Sequence, residues 1–171
     1  MSFKEISYQE FEAQPFKKLD KEWALLAAGK EGDMNAMTVS WGAMGTMWGK
    51  PAITVYVRPQ RYTKEFIDRE DTFTLSFFDE DNKKELTYFG KVSGRDEDKI
   101  ASSGLTPCFC QGENAPVFKE AKLSFVCKKQ FAQELDPKSF IDGEIIPKWY
   151  PASDFHTMYI ASVEKVLVKE D

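Results

Sequence analysis

The sequence predicts a mainly β fold, a β-barrel that carries a few short helices, built as one domain over residues 1–171. Three observations predict it. Segments rich in β-branched and aromatic residues follow one another at short spacing, the helical segments between them are few and short, and no repeat or Gly/Ser linker divides the chain. The strand–helix alternation of a doubly wound sheet is missing, as are the GxGxxG and Walker A motifs of nucleotide-binding folds.

The first half of the chain contains four predicted strands. They span residues 23–28, 37–41, 52–57 and 72–78. In the second of these strands, apolar and hydroxyl side chains alternate. Thr38 and Ser40 therefore share one face of the strand. Met37, Val39 and Trp41 share the other.

Short helices and a loop separate these strands. Residues 42–51 are predicted to be a loop because they are rich in glycine and proline. Residues 62–67 are predicted to open a helix, and Thr63 suits its N-cap. Two further short helices are predicted at residues 82–89 and 96–103.

The second half of the chain is predicted to be mostly strands. Residues 122–132 and 158–168 are long and β-prone. Asp136 followed by Pro137 matches an N-cap and a proline at the first helical position, which predicts a short helix ending at Phe140.

The charge balance excludes several classes of partner. Lys and Arg number 23 and Asp and Glu number 28, a formal net charge of −5, which argues against a nucleic-acid or anionic-membrane binder. No apolar run approaches the roughly 20 residues that span a bilayer. The N-terminus has no apolar segment of the kind that a secretory signal needs, so we expect a cytoplasmic protein.

Cysteine and histidine usage narrows the chemistry. The three cysteines, Cys108, Cys110 and Cys127, are an odd number and predict reduced thiols. His156 is the single histidine, which excludes HExxH and multi-histidine metal centres. The C-x-C spacing does not match paired zinc knuckles, and no GxSxG elbow is present, so we predict no metal and no Ser-His-Asp triad.

The stretch from residue 35 to residue 63 combines the groups that a phosphorylated, planar, polar-edged ligand needs. It offers amide and hydroxyl groups for the ligand edge, indoles for its face and guanidinium groups for its phosphate. These residues are Asn35, Thr38, Ser40, Trp41, Trp48, Arg58, Arg61 and Thr63.

A structural interpretation of the same residues stays open. Arg58 and Arg61 suit surface ion pairs with Glu65 or Asp68. Thr63 then serves only as an N-cap, and the two indoles belong to the core. A second group of basic and hydroxyl residues at 90–99 is either another wall of the anion site or a solvated turn with Asp96 capping a helix.

Five blocks, taken in order, resemble the flavoredoxin branch of the flavin reductase-like family. They are residues 35–42 (NAMTVSWG), 48–51 (WGKP), 57–63 (VRPQRYT), 93–99 (SGRDEDK) and 154–160 (DFHTMYI). The resemblance spans about residues 20–168. It implies a Greek-key split β-barrel of the FMN-binding type and a homodimer with FMN at or near the subunit interface.

The resemblance also implies a site and an activity. The flavin ring and ribityl chain would be lined by Asn35, Met37, Thr38, Ser40 and Trp41. The ribityl chain and phosphate would be held by Arg58, Arg61, Tyr62 and Thr63. From the other subunit, the phosphate would also be approached by Ser93, Arg95 and Lys99. The implied activity is NAD(P)H-dependent flavin reduction, with NADH or NADPH as co-substrate. The competing function is that of a flavoredoxin-type carrier, which holds FMN and receives electrons from a partner protein.

The roles of the histidine and of two cysteines stay open. His156 is either near the flavin or nicotinamide, as in related reductases, or hydrogen-bonded between barrel and loop. Cys108 and Cys110 are either a dithiol that exchanges electrons with the flavin or ordinary loop and core thiols. The chain could also be a module that binds another ligand or none. The sequence pattern of a pyridoxamine-phosphate oxidase is not present.

Overall fold

A computed structural model describes residues 2–109 and 115–170. It shows one curved antiparallel sheet of eight strands and a separate two-stranded ribbon, and the mainly β prediction is confirmed. The strands are β1 (Phe3–Ile6), β2 (Ala24–Lys30), β3 (Asp33–Val39), β4 (Gly42–Met47), β5 (Lys50–Val57), β6 (Thr72–Phe77), β7 (Pro107–Phe109), β8 (Pro116–Phe118), β9 (Leu123–Glu134) and β10 (Thr157–Lys169).

The strand order departs from the chain order. The sheet runs β3-β2-β6-β9-β10-β5-β4, with β1 paired to β10 and β7 paired to β8 apart from it. Neighbours such as β2 and β6, or β10 and β5, are distant in sequence, so the connections cross over the ends of the barrel as in a Greek key.

The helices are short and lie outside the sheet. They are α1 (Pro15–Lys17) with a π turn (Lys18–Glu22), α2 (Thr63–Arg69), α3 (Lys83–Lys91), α4 (Lys99–Ser102) and α5 (Ile145–Trp149), together with 3₁₀ turns at Glu80–Asn82 and Pro137–Ser139. No helix of residues 2–109 and 115–170 is both long and apolar enough to cross a membrane.

Two apolar layers explain the pattern of the central strands. Leu26 and Ala28 of β2 point into the main core, which draws side chains from β3, β5, β6, β9 and β10. Leu25 and Ala27 point the other way, into a second cluster with Phe89 of α3. Strand β2 is therefore apolar on both faces, and α3 lies against the sheet beside β3.

The predicted loop at residues 42–51 is wrong. These residues form β4 and the start of β5, joined by a two-residue turn at Trp48 and Gly49, whose φ angles are 50° and 73°. Positive φ at both turn positions is the signature of a type I′ hairpin. Glycine is tolerated here because β4 is an edge strand, and Pro51 lies two residues past the turn.

Other boundaries also differ from the prediction. Strand β3 ends at Val39, so Ser40 and Trp41 lie beyond it. Helix α4 begins at Lys99, and its N-cap is Asp98, which accepts a hydrogen bond from the amide of Ala101 at 3.1 Å. The predicted start near residue 96 is therefore wrong, because a nearer carboxylate occupies the capping position. The predicted N-cap at Asp136 is confirmed.

Candidate functional site

A cleft of about 260 Å³ opens where β3 and β5 end, beneath the loop at residues 136–156. Its lining comprises Met37, Thr38, Val39, Ser40, Trp41, Tyr56, Arg58, Arg61, Trp149 and His156. The structure thus brings together several residues singled out from the sequence, namely Met37, Thr38, Ser40, Trp41, Arg58, Arg61 and His156.

Aromatic rings form one wall of the cleft. Trp41 is 40% exposed, with its ring centroid 5.2 Å from that of Trp149 and 5.1 Å from that of His156. Tyr56 approaches His156 edge-on at 6.5 Å. The interpretation of Trp41 as a core residue is therefore wrong, and its indole is available to a planar ligand.

His156 is the buried polar group of that wall. Its Nδ1 shares a 2.9 Å hydrogen bond with the hydroxyl of Tyr150. Burial, and after it the positive charge of Arg58, lowers the pKa of His156 to about 4, although the charge of Asp154 opposes this. The imidazole is therefore neutral at pH 7, and within the described residues its Nε2 forms no hydrogen bond.

Arg61 and Lys99 form a pair of cations, of which Arg61 is half-buried and Lys99 is buried. Arg61 donates from Nη1 to the carbonyl of Gly90 at 2.8 Å and from Nη2 to that of Phe89 at 3.4 Å. Lys99, 3% exposed, donates to the carbonyls of Phe89 at 3.5 Å and Val92 at 3.3 Å. Both cations therefore occupy the C-terminal end of α3, where the helix dipole favours positive charge.

No described carboxylate pairs with either cation. Burial lowers the pKa of Arg61. Burial, and after it the charge of Arg61, lowers the pKa of Lys99 to about 8. Two neighbouring cations that lack a counter-ion have the electrostatics of an anion site.

The other two predicted cations are ion-paired. Arg58 bonds Asp154 at 2.5 Å. Arg95 pairs with Glu65 and also donates to the carbonyl of Gln60 at 3.0 Å. The structural interpretation, in which Arg58 and Arg61 pair with Glu65 or Asp68, is therefore wrong about the partners.

Asn35 and Thr63 are buried and bond each other. Asn35 Nδ2 donates to Thr63 Oγ1 at 3.0 Å, with exposed fractions of 2% and 1%. Neither lines the cleft, so their bond joins β3 to α2 behind it. Thr63 is the first helical residue, and Tyr62 occupies the N-cap position without a side-chain bond, so the predicted Thr63 cap is wrong.

The turn at residues 92–98 closes over that bond. A Cβ at Gly94 would lie 2.7 Å from Asn35 Oδ1 and 2.9 Å from Tyr62 Cδ1. Arg95 stands over the Tyr62 ring at 4.8 Å, and Ser93 Oγ accepts the amide of Arg95 at 3.2 Å. Ser93, Arg95 and Tyr62 thus pack beside the cation pair but outside the cleft lining.

A larger apolar groove adjoins the cleft. It has a volume of about 1070 Å³ and shares Ser40, Trp41 and Tyr56 with the cleft. Phe16, 83% exposed, stands in its lining. Trp48 is at the hairpin turn, 59% exposed and 6.4 Å from Phe131, and it lines neither space. The structure therefore places it neither beside the cleft, as predicted, nor in the core, as the alternative had it.

Neither of the two described cysteines lines the cleft. Cys108 is half-buried in β7, and Cys110 lies outside the described residues. Cys127 is fully buried, which raises the pKa of its thiol. Over residues 2–109 and 115–170, no cluster of three or more His, Cys, Asp or Glu side chains could hold a metal ion.

Sequence reasoning missed Tyr56, Trp149 and Tyr150. Tyr56 stands two residues before Arg58 on a predicted strand, so its alternation with Arg58 was available as a signal. Trp149 and Tyr150 precede a proline and lie within seven residues of the single histidine. The contacts of Trp149 with Trp41 and of Tyr150 with His156 depend on a loop closure that no local pattern encodes.

Comparison with known proteins places the fold. An FMN-binding domain of a flavin reductases-like enzyme from Shewanella baltica OS155 matches with TM-score 0.69 and 16% identity, over 98% of this chain and 77% of that one. Flavoredoxin of Desulfovibrio vulgaris (Miyazaki F) matches with TM-score 0.67 and 25% identity, over 86% and 69%. The styrene monooxygenase flavin reductase from Pseudomonas putida S12 matches with TM-score 0.61 and 22% identity, over 87% and 80%.

A family model gives the assignment. No curated protein matches the chain. The model of the flavin reductase like domain matches residues 16–171, which is most of the sequence. The expected split barrel is confirmed, since one solved neighbour of the same fold is described as having a split barrel domain. The chain therefore belongs to the family of flavin reductase like domains.

Proposed function

We propose that the chain binds FMN in the cleft and acts as an NAD(P)H-dependent flavin reductase. The family assignment supports an oxidoreductase role, and one structural neighbour is named as an FMN-binding domain and another as a flavin reductase. The arrangement of the cleft supports the cofactor, because an aromatic wall stands near a pair of unneutralised cations.

The cation pair is the observation that carries the proposal. A phosphate monoester has between one and two negative charges at pH 7. Placed at Arg61, it would offset the burial and repulsion that lower the pKa of Lys99. Lys99 does not line the cleft, so its charge would act from beneath Arg61.

The remaining cleft residues suit the flavin ring. Trp41 and Trp149 offer apolar ring faces. The Nε2 of neutral His156 and the hydroxyl of Ser40 bond no other described residue, so they could bond the polar ring edges. Asn35 and Thr63 would act from behind, by fixing β3 against α2. Bound FMN would itself accept and pass on electrons. The protein residues would hold and orient it.

The second candidate function is a flavoredoxin-type electron carrier. The likeness to the Desulfovibrio flavoredoxin favours it. A carrier would hold FMN in the same cleft but receive electrons from a redox partner protein. We also propose the homodimer that the family resemblance implies, which sedimentation equilibrium would measure.

An absorbance spectrum distinguishes the two functions. The protein is purified, loaded with FMN and mixed anaerobically with NADH or NADPH. Bleaching of the flavin bands by either nucleotide supports the reductase. Bands that persist with both nucleotides but bleach with dithionite support the carrier. A protein that is colourless once unbound FMN has been removed contradicts both functions.

A further inference from the structure

The loop at residues 136–156 is held together by contacts among its own residues. It leaves β9 and returns into β10, and its base is closed by a 2.9 Å bond from the amide of Leu135 to the carbonyl of His156. Inside it, the Tyr150 ring stacks on Phe155 at 4.8 Å, and Phe140 packs against both at 5.7 and 5.8 Å. The loop is thus an internally packed unit.

Arg58, immediately after β5, ties this unit to the barrel. Its Nη1 donates to Asp154 Oδ2 at 2.5 Å, and its Nη2 donates to the carbonyl of Trp149 at 2.7 Å. Its guanidinium also stands 5.1 Å from the Tyr150 ring centroid. Gln60 adds a second bond to Asp154 Oδ2 at 2.7 Å. Arg58 thus holds the loop at Trp149, the last residue of α5, and again at Asp154.

The bonds of Arg58 to the loop place two aromatic rings at the cleft. Trp149 and His156 lie at either end of the segment that Arg58 contacts, and both rings pack against Trp41. The positive charge of Arg58 is matched by Asp154, whereas that of Arg61 is matched by no described carboxylate. Both guanidinium groups line the cleft, but Arg58 is bonded to the loop, whereas Arg61 keeps a positive charge that could meet an anion.

We propose that Arg58 and Asp154 are positioning residues: they lock the loop so that Trp149 and His156 form the cleft wall, while Arg61 is left to meet the ligand's phosphate. The part that concerns phosphate rests on the proposed function. The lock itself is a property of the ligand-free protein.

Ligand affinities test the first part. The dissociation constants of FMN and riboflavin, which lacks the phosphate, are measured for the wild type, Arg58→Met and Asp154→Asn. A positioning role weakens both ligands by the same factor in each variant. If Arg58 instead holds the phosphate, Arg58→Met weakens FMN alone. Asp154→Asn would then free Arg58 and tighten FMN, and either result overturns the proposal.

The imidazole of His156 tests the lock without any ligand. It is the single histidine, so its NMR signal is unique. The groups that face it are Tyr56 of β5, Arg58 just after that strand, and Asp154 and Tyr150 of the loop. Loss of the negative charge in Asp154→Asn lowers the pKa of His156 further if the loop stays in place. Release of the loop exposes the ring and raises the pKa towards 6.5, which is the result we expect.

A matched ion pair controls for general effects. Arg69 and Asp33 pair at 2.6 Å elsewhere on the barrel, and Arg69→Met and Asp33→Asn should change neither the affinities nor the His156 titration. If the wild type binds no flavin, the proposed function fails, and the His156 titration alone decides the lock. A pKa that falls or stays the same in Asp154→Asn overturns it.

Discussion

Single side chains in the cleft have charge states that follow from their burial. His156 is 8% exposed and its pKa is lowered to about 4, whereas Lys99 is 3% exposed and its pKa is lowered to about 8. The sequence could single out both residues, because one is the only histidine and the other closes a basic block. It could not indicate their pKa values, since the residues that surround them come from distant parts of the chain.

The first prediction concerns stability against pH. The pKa of His156 is about 4 in the folded protein and about 6.5 when unfolded, so between these values the unfolded chain binds more protons. The free energy of unfolding should therefore fall as the pH drops from 7 to 5, by about 2 kcal/mol from this group. His156→Gln should lose that part of the pH dependence. Urea titrations at both pH values measure it, and identical pH dependence in both proteins would contradict the neutral buried imidazole.

The second prediction concerns FMN affinity at alkaline pH. Lys99 has a pKa of about 8 without a ligand, and a bound phosphate would raise it. FMN binding would then take up a proton, so affinity should fall about tenfold between pH 7 and pH 9. Fluorescence titration measures it, with riboflavin as the control that should not respond. Lys99→Met should bind FMN more weakly and with a flatter pH profile, and an unchanged profile would remove Lys99 from the site.

Short elements hold the site through close contacts between loops and helix ends. The sequence could predict β5, α2 and α3 from their composition, but the hairpin of β4 and β5 was hidden by glycine and proline. Bonds such as Asn35 to Thr63 join residues 28 positions apart, and no periodic pattern encodes them. The contact of Gly94 with both Asn35 and Tyr62 is of the same kind.

The third prediction tests this packing with Gly94→Ala. The added methyl would lie under 3.0 Å from Asn35 Oδ1 and Tyr62 Cδ1, so the turn at residues 92–98 must move. We expect the free energy of unfolding to fall by about 1–3 kcal/mol, which is the usual cost of overpacking a core. Gly45→Ala is the matched control, because its Cβ meets nothing within 4 Å on an edge strand. Equal urea midpoints for the two variants would show that the close contact is absent.

At the scale of the whole molecule, the connections that cross between distant strands bring the cleft residues together. The strand content and the family could be predicted from local patterns and from ordered blocks of sequence, and both are confirmed. The closure of the loop at residues 136–156 could not, because Arg58 and Asp154 are 96 positions apart. The site is therefore a product of topology, in which β3, β5 and the β9–β10 loop supply separate walls.

The central claim is that this cleft binds a flavin through its phosphate at Arg61. The most direct measurement is the pair of dissociation constants for FMN and riboflavin, in the wild type and in Arg61→Met. Charge-assisted bonds to phosphate contribute about 1.5–3 kcal/mol each, so the wild type should prefer FMN at least tenfold and Arg61→Met should lose that preference. Equal affinities of the wild type for both flavins, or an unchanged preference in the variant, would contradict the account.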